Sequence, residues 1–101
     1  MNNIETMRAF LQRTHAHTNT RNILNGVYYY KGQTLHTEED YELNQFKLIN
    51  YSTCIATIDC NTNTLWLNKK KYSTTTSKIQ SQLEYLARDT HYDIVYIEGG
   101  E

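Results

Sequence analysis

The sequence lacks any apolar run that approaches the ~18 consecutive residues a membrane span requires. It also lacks a surplus of basic charge. Ten Lys and Arg against eleven Asp and Glu give a formal charge of −1. A dedicated nucleic-acid binder carries a clear basic excess, because phosphate neutralisation dominates its affinity. Cysteine is scarce, with two in 101 residues, which excludes a disulfide-rich toxin scaffold. Met1-Asn2-Asn3-Ile4-Glu5 shows no basic segment followed by an apolar one, so no secretory leader is expected. Proline is absent and glycine occurs four times. What the chain does hold is tyrosine: nine, against two Phe and one Trp. Its length fits one domain over residues 1–101, with a thin core burying about 65% of the unfolded surface. Hydrophobic residues at 39% and charged residues at 21% are globular rather than disordered values. Neither a transporter nor a multidomain machine is expected.

The two thiols, Cys54 and Cys60, fall within one stretch that reads as a strand. Six extended steps of ~3.3 Å place their Cα atoms about 20 Å apart, far beyond the roughly 7 Å a disulfide spans. Two free thiols suit a reducing compartment, and the sequence predicts a cytoplasmic protein.

Residues 2 to about 15 carry Ile4, Met7, Phe10 and Leu11 as one apolar stripe at helical spacing. Asn2 or Asn3 supplies a cap and Glu5 an anion in the first turn. Thr18-Asn19-Thr20 is the expected end. Val27-Tyr28-Tyr29-Tyr30 is a strong β-former run. Asn25-Gly26 and Lys31-Gly32 are turn candidates, the second closing onto residues 33–36. Residues 37–50 leave two readings open: a helical turn capped by Thr37, or a strand over 42–48. Residues 51–59 read as a strand, with Cys54, Ala56 and Ile58 on one face and Tyr51 and Ile55 on the other. Asn61-Thr62-Asn63 is a turn and 64–68 the return strand. Residues 74 to about 89 form a second helix with Ile79, Leu83, Leu86 and Ala87 inward, capped by Thr74 or Thr75. Residues 92–97 give a last strand. The expected fold is α+β: a small antiparallel sheet with an N-terminal helix and a second helix before the last strand.

Two groups of residues are candidate binding sites. Strand side chains alternate, so Tyr28, Tyr29 and Tyr30 cannot all face one core, and Trp66 points away from Leu65 and Leu67. Such aromatics are favoured anchors at protein interfaces, with base stacking as the competing use. The second group joins a strand to a helix start: Lys69, Lys70, Lys71, Tyr72, Thr75, Thr76 and Lys78. Hydroxyls and positive charge at unpaired helix N–H groups suit a phosphate or nucleic acid. It is not a P-loop, because no glycine lets the backbone approach a phosphate. The opposing reading is capping plus a solvated basic face, balanced by the acidic stretch Glu38, Glu39, Asp40 and Glu42.

Catalysis and metal binding find little support. His15 and His17 point about 200° apart on a helix, and Cys54, Cys60, His36 and His91 lack metal-ligand spacing. Ser52, Ser73 and Ser77 lack a nucleophile elbow. The carboxylates between Glu38 and Glu42 fall in a segment expected to face solvent, which does not suit a paired acid and base. No catalytic residue, metal ligand or cofactor is expected.

Three segments together carry a resemblance: Tyr51-Ser52-Thr53-Cys54-Ile55-Ala56, Leu65-Trp66-Leu67, and Lys71-Tyr72-Ser73-x-Thr75-Thr76-Ser77-Lys78. Their pattern of strand, return strand and helix start resembles a family of small phage and mobile-element proteins, over roughly the second half of the chain. The family transfers no catalytic residues. It implies a phage-borne accessory protein in the host cytoplasm, of the kind that binds and disables a host or defence protein, as anti-CRISPR inhibitors do. The expected partner is therefore a host or defence protein, with nucleic acid at the basic junction as the alternative and no membrane. A homodimer through an exposed strand edge is a third reading.

Overall fold

The computed structural model describes residues 2–14, 22–24, 27–29 and 35–98. Its elements run α1 (Asn3–Leu11), β1 (Asn22–Leu24), β2 (Val27–Tyr29), β3 (Leu35–Asp40), β4 (Gln45–Asn50), β5 (Thr53–Asp59), β6 (Thr64–Asn68), α2 (Thr74–Ala87) and β7 (Asp93–Ile97). This is the expected α+β order. One pairing differs in direction. The five-stranded sheet β3-β4-β5-β6-β7 is antiparallel except at its last step, where β7 runs parallel to β6. A parallel neighbour needs a crossover, and α2 supplies it. A separate two-stranded sheet pairs β1 with β2.

The first helix starts as its sequence dictates. Asn2 Oδ1 accepts from the Glu5 amide while Glu5 Oε1 accepts from the Asn2 amide, a reciprocal capping box. Met7, Phe10 and Leu11 are buried, with Ile4 packed against them. The helix stops at Leu11, four residues short of the expected end. There Thr14 N–H donates to Ala9 O and Arg13 N–H to Phe10 O, the Schellman pattern. Arg13 holds the left-handed position, φ 58°, that glycine normally takes, so composition gave no stop signal. Thr18-Asn19-Thr20 and Lys31-Gly32 lie outside the described residues.

Residues 37–50 hold the end of β3, a turn over 41–44 and β4 from Gln45, so the strand expected over 42–48 starts three residues later. Thr37 is buried within β3 opposite Leu48 rather than capping a helical turn. In β5 the expected alternation breaks at a bulge. Leu48 pairs with Ala56 but Ile49 with Cys54, leaving Ile55 as the extra residue. The bulge turns Ile55 inward beside Ala56 and Ile58, and Cys54 outward with Thr57. Tyr51 is not in the strand; it occupies the β4–β5 turn at φ 57°, exposed. Both thiols are free.

The core lies between one sheet face and both helices. Its sheet rows are Leu48, Ala56 and Leu67, and Phe46, Ile58 and Leu65. Phe10 stacks on Phe46 with ring centroids 6.0 Å apart, and Ile79, Leu83 and Ala87 close the layer from α2. At the end of α1, the Tyr92 hydroxyl donates to Leu11 O, and Arg13 donates to Tyr92 and to Asn63 Oδ1. These contacts lock the helix end to the β5–β6 turn and to the entry of β7.

Candidate interaction surface

The cross-strand register writes out the face opposite the helices. One row reads Glu38, Lys47, Thr57, Trp66 and Val95; the next reads Asp40, Gln45, Asp59, Thr64 and Asp93. Trp66 is half-buried here, outside the core that holds its neighbours Leu65 and Leu67. Val95 beside it is exposed. Four carboxylates (Glu38, Asp40, Asp59 and Asp93) share this face, and Lys47 is the cation of the two rows. Tyr28 and Tyr29 stand in β2, opposite Ile23 and Asn22, and Tyr30 lies outside the described residues.

The basic junction sits at the other end of the sheet. Three of its hydroxyls (Tyr72, Ser73 and Thr76) and the Lys70 amide hold the strand-to-helix turn. Ser73, rather than Thr74 or Thr75, caps α2 by accepting from the Thr76 amide. Thr76 is buried and its hydroxyl bonds Asn50 Nδ2 at 2.8 Å and Ser73 Oγ at 3.1 Å. Asn68 Nδ2 donates to Cys54 O and to the Tyr72 hydroxyl, while its Oδ1 accepts from the Lys70 amide. Gln80 reaches down from α2 to Asn68 O and Lys70 O. Lys69 is paired with Glu84 at 2.7 Å and lies over the Tyr96 ring; Lys70 lies over Tyr72. Lys71, Thr75 and Lys78 are exposed. The structure brings these residues together as a joint, with part of its charge already neutralised.

Sequence reasoning missed the set Lys69, Glu84 and Tyr96. Glu84 accepts from Lys69 Nζ and from the Tyr96 hydroxyl, and Arg88 stands 4.0 Å away. Only the parallel docking of β7, which sets Tyr96 opposite Leu67, assembles it. The Lys69 bond, then the Tyr96 bond, hold the Glu84 carboxyl below the usual carboxylate range. The same bond to Glu84 raises the Tyr96 phenol. Glu84 therefore adds stability above the unfolded carboxylate pKa of about 4.3, and that stability is lost as pH falls through the lower folded value. Tyr96 has the opposite sign: its contribution is full below about pH 10 and fades at higher pH. Glu84→Gln should cost roughly 0.2–1 kcal/mol at neutral pH, the range of solvent-facing pairs. Urea unfolding should show that difference shrinking as the pH is taken below the carboxylate range.

Among the described residues, no group of three His, Cys, Asp or Glu side chains converges to hold a metal ion. None of the described helices is long and apolar enough to cross a membrane. The fold and surface thus define a small α+β protein with a mixed sheet, two helices on one face, and four carboxylates with Trp66 on the other. No family model, curated protein or solved structure matches the chain.

Proposed function

We propose that this is a non-catalytic, phage-type accessory protein that binds a host or defence protein in the host cytoplasm and blocks it sterically. The observation that carries the choice of partner is the company Trp66 keeps. Glu38, Asp40, Asp59 and Asp93 share its sheet face, and their charge repels a phosphate backbone while complementing a basic protein surface. A partly buried Trp in such a field serves as an interface anchor rather than a base-stacking platform. Tyr28, Tyr29 and Tyr30 are the further proposed anchors. The phage context, and with it the inhibitory role, rests on the resemblance carried by residues 51–56, 65–67 and 71–78.

The second reading is nucleic-acid binding at Lys69, Lys70, Lys71, Tyr72, Thr75, Thr76 and Lys78. The strand-to-helix placement of the exposed Lys71, Thr75 and Lys78 favours it. Binding titrations across salt separate the two. If the junction grips phosphates, Lys70→Ala and Lys71→Ala each weaken binding and reduce the magnitude of the log K against log salt slope by about 0.7–0.9. We expect wild-type protein to show no strong salt-dependent DNA or RNA binding, and the lysine variants to change mainly the association rate with a protein target. Tight salt-dependent binding abolished by the lysine changes would replace the inhibitor reading with the nucleic-acid one.

A further inference from the structure

The two edges of the main sheet are built differently. At one edge, β3 carries Glu38, Glu39 and Asp40 in succession. Like charges directly opposite each other are destabilising, so that strand is guarded against pairing with its own kind. At the other edge, β7 reads Asp-Ile-Val-Tyr-Ile, with no Pro, no Lys and no register shift against β6. Val95 and Tyr96 are 42% and 53% exposed. Among the described residues, β7 pairs with β6 alone.

Two backbone bonds fix which groups of β7 are used. Asp93 N–H donates to Asn63 O, and Lys69 N–H donates to Ile97 O. Asp93 and Ile97 therefore turn their peptide groups toward β6, and Val95 follows at period two. The N–H and C=O groups of Ile94 and Tyr96 point outward from the edge.

We propose that β7 is a self-pairing edge: two copies of the chain join antiparallel about a twofold axis at Val95, fusing their sheets into one. This register is self-complementary. Ile94 stands opposite Tyr96 of the second copy, and Tyr96 opposite its Ile94, each couple exchanging both backbone bonds. Every outward peptide group of those two residues is thereby used. Val95 meets Val95 of the second copy in the close, non-hydrogen-bonded position, at a Cα separation of about 4.5 Å. Asp93 falls opposite Ile97 and Glu98 opposite Tyr92, so no like charges face each other. Lys69 and Glu84, beside Tyr96 on the helix side, already neutralise one another. Centring the axis on Ile94 or Tyr96 instead keeps the bonding phase but shortens the overlap of the strands.

The contact involves about seven residues a side, below the roughly 20–30 of a standard interface, so the dimer is expected in the micromolar range or weaker. Sedimentation equilibrium on the full chain from about 5 to about 500 µM, a span that brackets such a constant, should show the mass rising toward two chains. Hydrogen exchange supplies the residue-level readout. The Ile94 and Tyr96 amides should slow with protein concentration, while the Asp93 amide, bonded to Asn63 O, and the Val95 and Ile97 amides, turned toward β6, stay protected throughout. Val95→Lys places two cations at the axis and should weaken association at least tenfold. Mixing Val95→Lys with Val95→Glu should restore it, which a misfolded variant could not do. A single-chain mass over the whole range, or a dimer indifferent to Val95→Lys, overturns the proposal. A monomer whose Ile94 and Tyr96 amides slow only in complex with a captured target assigns the edge to a target strand and also overturns it. None of the dimer readouts requires a target, so failure here is distinguishable from failure of the inhibitor reading.

Discussion

Leu83→Ala should lower the unfolding free energy by about 2–5 kcal/mol, the cost of a large-to-small change at a site that cannot collapse around the loss. Leu83 is 1% exposed and central in the α2 stripe, with Ile79 one turn before it and Ala87 one turn after. The layer it fills is bounded by α1 and by the Leu48, Ala56 and Leu67 row. Among the described residues, two helices and one sheet face supply most of this core, so few neighbours can move to refill the cavity. A small domain with ~5–15 kcal/mol of stability loses a large share of it. Equilibrium urea unfolding with the slope held comparable to wild type is the check. A midpoint unchanged within error would show that α2 does not pack by this stripe.

The second large effect concerns binding. If Trp66 is the anchor proposed above, Trp66→Ala should weaken the complex with the proposed protein target by 2 kcal/mol or more, roughly thirtyfold, as removal of an aromatic anchor does. The side chain stands outside the helix-side core, so the fold should survive its loss better than it survives loss of Leu83. Circular dichroism and a melting curve on the variant separate lost contact from lost fold. Titrating the folded variant against the target then isolates the anchor. A folded Trp66→Ala chain that binds as tightly as wild type would remove Trp66 from the interface.

Much of the architecture was legible because it rests on local signals. The α1 and α2 stripes, the 64–68 return strand and the strand–helix–strand order at the end all follow from period and turn chemistry. What was not legible depends on non-local pairing or on residues used against type. Arg13 and Tyr51 occupy left-handed positions without being Gly, Asn or Asp, so neither advertises the turn it makes. The bulge at Ile55 shifts the strand phase by one residue, which no alternation pattern within β5 announces. The parallel placement of β7 decides both the edge and the meeting of Lys69, Glu84 and Tyr96, and parallel pairing leaves no mark in a five-residue strand. The candidate junction was placed correctly between β6 and α2, but the sequence could not show that Ser73 caps and Thr76 is spent on Asn50. The outer-face carboxylates were visible as residues, and only the register gathered Asp40, Asp59 and Asp93 into one row.

Affinity capture of the tagged chain from host lysate, run in parallel with and without nuclease and with the folded Trp66→Ala variant as control, tests the central claim most directly. The account predicts a stoichiometric protein partner that survives nuclease and is lost from the Trp66→Ala capture. Capture of nucleic acid and its associated proteins alone, all released by nuclease and retained by Trp66→Ala, would contradict it.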